Sequence, residues 1–434
     1  MLKRILIIAL LTGAGQLYSI FVLKIISGVG GGQASFEIAQ LDTLFFFMIS
    51  VIAFGLQPAA IRNLALAKEW KSEFKRVQAA RITLGLILTL LVIAAFFYKY
   101  YLIFLLAPII AASGEYALYA RGAAIYGSLI SFLRLSIPFT AVLVAAYFVP
   151  SYTGVIYVVS LIFIHFITIF LIAWRLQVQP FSKPSLQSLK LYISSIPLGI
   201  VTLSQYMIGL GLLLVAPYFY KSEGLGIIFA GLKFYVLYKG VLRIIHQAFI
   251  QDMTNPAIGV KVDQLSIMLA FLFLLSVFFF PDSFITFFFG QQALSQKVFF
   301  QLLGVAAVFY TVFLSMATSI LLQKMDYQYS MITAIAALLS VASCIILSFS
   351  LPSGISIGIS LCVGEFAWLC GLIWMATKEN RVEKRLLFFG EISFLFAVPL
   401  VITYWFGDKL LNYMASFAVV SILLLFLHHR KFRI

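Results

Sequence analysis

Residues Gly224 to Gln251 read GLGIIFAGLKFYVLYKGVLRIIHQAFIQ. The stretch has the length and apolarity of a membrane-spanning helix, yet it carries Lys233, Lys239, Arg243 and His246. A charged side chain at bilayer depth is costly, so it faces a protein interior or a wet cavity and marks a transport path. With Lys233 set at zero, helical geometry puts Lys239 at about 240°, Arg243 at about 280° and His246 at about 220°, an arc of roughly 140°. Lys233 to Arg243 covers roughly 15 Å of depth, about half the hydrocarbon core. A ladder of cations through half a bilayer suits the movement of an anion.

The whole chain has the same character. Its 434 residues are 63% hydrophobic and 10% charged, whereas a soluble domain is about 45–50% apolar and about 25% charged. The net charge of +15 would suggest nucleic acid in a soluble protein. Here the positive-inside bias of cytoplasmic loops explains it, and no nucleic-acid partner is expected. Cys344, Cys362 and Cys370 all fall in apolar segments, with neither disulfide nor metal-site spacing. No cofactor or metal is expected.

Apolar windows of about 20 residues mark about fourteen spans: 5–27, 39–61, 78–97, 101–120, 125–148, 154–174, 191–217, 225–249, 265–280, 297–322, 331–350, 355–376, 386–405 and 409–428. The first follows Lys3 and Arg4 and resembles an uncleaved signal sequence. With the N-terminus inside, only Lys24, Lys99, Lys221, Lys297 and Lys409 fall on the outer side, while most of the 30 Lys and Arg fall on the cytoplasmic side. That bias places both termini in the cytoplasm. Residues 62–77 read as a basic amphipathic helix on the membrane surface. Residues 175–190, with Pro180 and Pro184, read as a linker. The implied organisation is an N-terminal lobe over 1–174 with six spans, the linker over 175–190, a C-terminal lobe over 191–376 with six more, and two further spans with a basic tail over 377–434. Transporters are often built from such repeated halves.

No G-x-x-x-x-G-K-[ST] motif occurs, so the chain is not expected to hydrolyse ATP. Gly28, Gly30, Gly31 and Gly32 miss the G-x-G-x-x-G pattern and read as an outer turn. H-E-x-x-H is also missing from the sequence. A membrane polysaccharide polymerase or glycosyltransferase needs sizeable outer loops, and the longest here, 281–296, is largely apolar. The expected protein is therefore no enzyme.

Lys233 and Lys239 read as cavity-lining, the alternative being structural pairing with Glu115 or Glu365. Arg243 either lines the cavity or snorkels to the cytoplasmic surface. Glu365, in CVGEFAWLCG, sits mid-span as a proton carrier or a salt-bridge partner. Glu115 lies late in the fourth span, and Arg134 lies within the fifth. Asp42 and Glu391 read as residues near span ends. Lys24 ends the first span, as an anchor or as a cation at a cavity mouth. Pro108, Pro138, Pro197 and Pro399 interrupt spans, which suits bundles that bend.

This pattern resembles the polysaccharide flippases (Wzx-type, O-antigen or oligosaccharide flippases) of the multidrug/oligosaccharidyl-lipid/polysaccharide (MOP) exporter superfamily. The likeness rests on six spans, a basic linker, six spans and two more. At residue level it rests on Lys24, the run Gly28 to Gly32 and Phe36, on Gly55, Ala59, Ala60, Arg62 and Ala65 in FGLQPAAIRNLALAKE, and on Tyr116, Tyr119 and Gly122. Lys24 stands where the family more commonly has Arg, and Gln57-Pro58 precedes Ala59. The resemblance implies an all-α polytopic protein of about fourteen spans, two six-helix lobes in a V around a central cationic cavity, plus two C-terminal helices. It implies an undecaprenyl-pyrophosphate-linked oligosaccharide as substrate, flipped by alternating access. The candidate cations for its pyrophosphate are Lys24, Arg134, Lys233, Lys239 and Arg243; only Lys24, like Arg62, is carried over by motif, and the others follow from depth and helical phase. Glu115 and Glu365 are left to ion coupling or structure, and Gly55 and Arg62 to a cytoplasmic motif. A bacterial inner membrane is the implied location. The bilayer, and a polymerase and chain-length protein of the same surface-polysaccharide route, are the implied partners. The alternatives are a multidrug or other lipid-linked-precursor exporter of the same superfamily and, from another class, a polymerase or glycosyltransferase.

Overall fold

A computed structural model describes residues 2–29, 31–95, 105–220, 224–248, 256–322, 325–377, 389–391 and 393. The two spans expected over 386–405 and 409–428, and the basic tail, lie outside the described residues, apart from a few positions near 390. Among the described residues the secondary structure is helical, with no strand. Among the described residues, nine helices are long and apolar enough to cross a membrane, or ten if one bent pair counts as a span. The chain is an all-α, multi-pass membrane protein. Large apolar side chains such as Phe163, Trp174, Leu338 and Ile346 are exposed, as lipid-facing residues should be.

The chain divides into two compact units, Met1–Leu237 and Tyr238–Ile434. The first begins with α1 (Leu2–Val29) and α2 (Gly31–Ala53). The expected outer glycine turn is thus shorter than the sequence implied: Gly28 belongs to α1, while Gly31 and Gly32 belong to α2. Hydropathy places the span start at residue 39 because Gly, Gln, Ser and Glu37 dilute the window, but every backbone group in a bilayer needs a partner, which favours continuing the helix.

Next come α3 (Leu56–Leu66) and α4 (Trp70–Ala95). They replace the single surface helix expected over 62–77. Ala67 adopts an extended conformation that ends α3. After a short turn α4 runs unbroken from the basic segment into the third span. Lys71, Lys75 and Arg76 are exposed on it, while Phe74 and Val77 are buried with Leu56, Leu64 and Tyr116.

The fourth expected span is broken into α5 (Leu106–Ala111) and α6 (Glu115–Ala120). Carbonyls freed by the break are taken up by α4: Gln78 donates to the Ala112 carbonyl, and Arg81 Nη2 to the Ile110 carbonyl at 3.5 Å. Two long helices follow, α7 (Ala124–Phe148) and α8 (Thr153–Leu176). Gln177, in the left-handed region at φ 52°, closes α8. Residues beyond it are irregular as far as a short turn at Leu186–Leu189, and Ser185 N–H donates to Thr83 Oγ1 at 2.8 Å. The seventh expected span is also broken. The segments Leu186–Ser194 and Ile196–Met207 meet at 75° and contain α9 (Lys190–Ser194) and α10 (Ile196–Met207), followed by α11 (Leu212–Val215).

The stretch quoted at the outset forms α12 (Leu225–Ala248). It starts in the first unit and ends in the second, since the division falls between Leu237 and Tyr238. The second unit continues with α13 (Pro256–Phe279), α14 (Pro281–Phe289), α15 (Lys297–Thr311), α16 (Leu314–Leu322), α17 (Asp326–Ser348) and α18 (Ser353–Thr377). Small residues let α17 and α18 approach closely: Ser340 Oγ donates to the Ser360 carbonyl at 2.9 Å. Close packing of this kind substitutes for the hydrophobic drive that lipid does not provide.

Candidate functional site

In the first unit, Lys233 is 1% exposed and its ammonium stands 2.9 Å from Asp42 Oδ2, which is wholly buried. Tyr157 on α8 donates to the other Asp42 oxygen. The Phe139 ring centroid lies 4.1 Å from Lys233 Nζ and that of Phe229 5.4 Å away, so the cation also meets aromatic faces. One carboxylate on α2 therefore ties α8 and α12 together. Ions taken out of water lose several kcal/mol of hydration each, which only a well-placed partner offsets.

Lys239 sits about one and a half turns further along α12 and pairs with Glu365 on α18 in the second unit. Its ammonium is 4.4 Å from the Tyr310 ring centroid. This is the structural pairing that the sequence offered as an alternative to a cavity position.

Arg134 on α7 forms a third pair. Nη1 donates to Glu115 Oε2 at 2.6 Å, Nη2 to Ser113 Oγ at 2.9 Å and Nε to Thr168 Oγ1 at 2.9 Å. Glu115 also accepts from Ser131 at 2.5 Å. Three donors of a rigid fork meet three acceptors, an arrangement Lys could not reproduce. Ser113 lies at the break between α5 and α6 and Glu115 starts α6, so the interrupted span is what presents both to Arg134. By contrast, the pairs Arg76–Glu73 and Lys297–Asp282 are largely exposed on at least one side and contribute little.

The other predicted positions are more dispersed. Lys24 is half-buried in the last turns of α1. Arg243 lies on α12 and Arg62 on α3, and their side chains lie outside the described residues. Gly55 precedes α3 with φ 71°. A methyl group there would stand 2.4 Å from both the Ser195 carbonyl and the Gly199 amide, so α3 and the bent α10 meet backbone to backbone.

Asp42 is the principal residue that the sequence reading undervalued. A hydropathy window that starts the second span at residue 39 puts Asp42 near a span end. With α2 beginning at Gly31, Asp42 lies mid-helix, where an isolated carboxylate signals a partner. Asp263 on α13 is also wholly buried; its carboxylate accepts from the Ser315 amide at 2.7 Å and from the Ser315 hydroxyl, at the first turn of α16, where a helix N-terminus favours negative charge. Among the described residues no three side chains come together as metal ligands.

No family model and no curated protein sequence matches the chain. Solved structures do. The inward closed conformation of the lipid II flippase MurJ aligns with a TM-score of 0.70 at 13% identity, covering 98% of this chain and 100% of that one. A MATE in complex with MaL6 aligns at 0.59 and 14% identity, over 87% and 97% of the two chains. A MOP superfamily transporter from Pyrococcus furiosus, described as having a binding pocket of reverse polarity, aligns at 0.53 and 13% identity, over 88% and 96%. At such identities the likeness is one of fold, and the chain has the all-α membrane-transporter fold that these MATE and MurJ structures share.

Proposed function

We propose that this protein flips undecaprenyl-pyrophosphate-linked oligosaccharide units from the cytoplasmic to the outer leaflet of a bacterial inner membrane, by alternating access, for surface polysaccharide synthesis. The observation that carries this reading is the buried cationic line of α12, with Lys233 and Lys239 each held by a carboxylate from a different helix. A pyrophosphate is an acceptor-rich anion able to take the place of Asp42 or Glu365 beside either lysine. Lys24, Arg134 and Arg243 are the further cations assigned to the path. Burial strengthens such an exchange, because both partners are already desolvated. The isoprenoid tail would stay in the lipid. The fold likeness to a lipid II flippase supports a lipid-linked substrate. Both termini are assigned to the cytoplasm by the distribution of Lys and Arg. Lobes over 1–174 and 191–376 joined by the linker 175–190, followed by the two further spans over 377–434, remain the proposed organisation of the transport cycle, and the chain is assigned no enzymatic activity of its own.

The second reading is a multidrug exporter, or an exporter of another lipid-linked precursor, favoured by the likeness to MATE structures over 87–88% of the chain. A cationic drug would be drawn to Asp42 and Glu365 and repelled by the lysines, so the two readings make opposite demands on charge. In cells making a surface polysaccharide through this protein, Lys233→Ala with Lys239→Ala should abolish surface polymer and leave undecaprenyl-linked units in the inner leaflet. Normal surface polymer in the double variant would remove both lysines from the path.

A further inference from the structure

The Lys239 end of α12 is enclosed by aromatic rings. Tyr310 on α15 lies against the Lys239 ammonium, and Trp368, about one turn along α18 from Glu365, stacks on Tyr310 with centroids 5.4 Å apart and planes at 18°. Tyr238, the chain neighbour of Lys239, stacks on Phe273 of α13 at 5.7 Å. Among the described residues, two polar atoms in this cluster, Trp368 Nε1 and the Tyr238 hydroxyl, are buried with no hydrogen-bond partner. Trp368 as a whole is 2% exposed. A buried donor left unmatched costs about 1–3 kcal/mol, and buried Trp and Tyr usually place their polar ends on a partner. At Tyr238, Phe would fill the same space without that cost, so the unmatched O–H, with the indole N–H beside it in the cluster, calls for a ligand acceptor.

We infer that this cluster is a sugar subsite, which takes the pyranose ring nearest the pyrophosphate. This rests on the lipid-linked oligosaccharide reading above and assigns the sugar, as opposed to the phosphate, to particular residues. A pyranose offers what the cluster lacks and accepts what it offers. Its hydroxyl oxygens accept from Trp368 Nε1 and Tyr238, its hydroxyl protons go to the Glu365 carboxylate, and its C–H face lies on an aromatic ring. Once sugar hydroxyls satisfy Glu365, Lys239 is released from its carboxylate and turns to the pyrophosphate. Sugar recognition thereby strengthens anion binding, and an isoprenyl pyrophosphate without sugar leaves the Lys239–Glu365 pair in place.

The test uses the full chain in lipid nanodiscs and two radiolabelled probes, a short isoprenyl pyrophosphate and the same lipid carrying one N-acetylhexosamine, with binding read by scintillation proximity. The wild type should bind the sugar-bearing probe at least about tenfold more tightly, the equivalent of one well-made hydrogen bond. Tyr238→Phe, which keeps the ring volume, and Trp368→Phe, which removes the N–H while keeping a smaller aromatic ring, should each lose most of that preference while holding the sugar-free probe at wild-type affinity. Glu365→Gln should bind the sugar-free probe more tightly than wild type does, because Lys239 is no longer neutralised. Equal affinity of the wild type for both probes, or a preference retained in both Phe variants, overturns the sugar subsite and leaves the flippase reading standing. Failure of the wild type to bind either probe overturns the flippase reading, and the subsite falls with it. Matching thermal denaturation midpoints of the variants and the wild type separate a lost contact from a lost fold.

Discussion

Asp42 and Lys233 show what a single buried pair does in this chain. Each is almost wholly enclosed, so neither can fall back on water if the other is removed. Asp42→Asn should therefore lower stability by about 3–5 kcal/mol, because it strands the ammonium. Adding Lys233→Met should restore most of that loss, since a buried pair replaced by apolar groups of similar volume is often neutral. Thermal denaturation of the purified variants in detergent decides the matter; equal melting of wild type and Asp42→Asn would contradict the pairing. Arg134 makes a parallel case. Arg134→Lys keeps the charge but cannot reach Glu115, Ser113 and Thr168 together, and it should cost about 1–3 kcal/mol in the same measurement. Charge was legible in the sequence at Lys233, Lys239, Arg134 and Glu365, because ionisable residues stand out against apolar runs. Partnership was less so. The sequence offers Glu365 as one possible partner for the lysines, whereas Asp42 reads as a span-end residue, because pairing depends on helix register and on where α2 starts.

Interrupted elements set the local geometry. The sequence gives the fourth and seventh spans as continuous apolar windows, with Pro108 and Pro197 as hints of bending. The structure breaks one into α5 and α6 and bends the other by 75°. Hydropathy sums over a window and is blind to a break whose carbonyls are rescued by another helix, as Gln78 and Arg81 do here. The bent span meets α3 at Gly55, where two constraints coincide: a φ of 71° and a backbone contact that leaves no space for a Cβ. Gly122 has a similar φ of 74° with nothing within 4 Å of a built Cβ. Gly122→Ala should therefore cost only the conformational strain, about 1 kcal/mol, whereas Gly55→Ala should add a collision and sharply reduce the yield of folded, monodisperse protein. Equal yields from the two variants would show that the α3–α10 contact yields freely.

At the scale of the whole molecule, most of the span list could be read from apolar length and charge placement. Among the described residues nine of the expected windows contain long apolar helices, the third forms the C-terminal part of α4, the fourth and seventh are broken, and the tenth continues past its long helix α15 into the separate α16. What composition could not supply is the way α12 contributes Lys233 to a pair inside one compact unit and Lys239 to a pair inside the other. The most direct measurement is translocation in proteoliposomes. The purified protein is reconstituted with a fluorescently tagged, undecaprenyl-pyrophosphate-linked sugar unit, and the inner-leaflet pool is followed by an impermeant quencher added outside. Wild-type protein should expose that pool well above the rate of protein-free vesicles, while Lys233→Ala with Lys239→Ala should fall to the protein-free rate. Exposure by the wild type no faster than in protein-free vesicles, or equally fast in the double variant, would contradict the account.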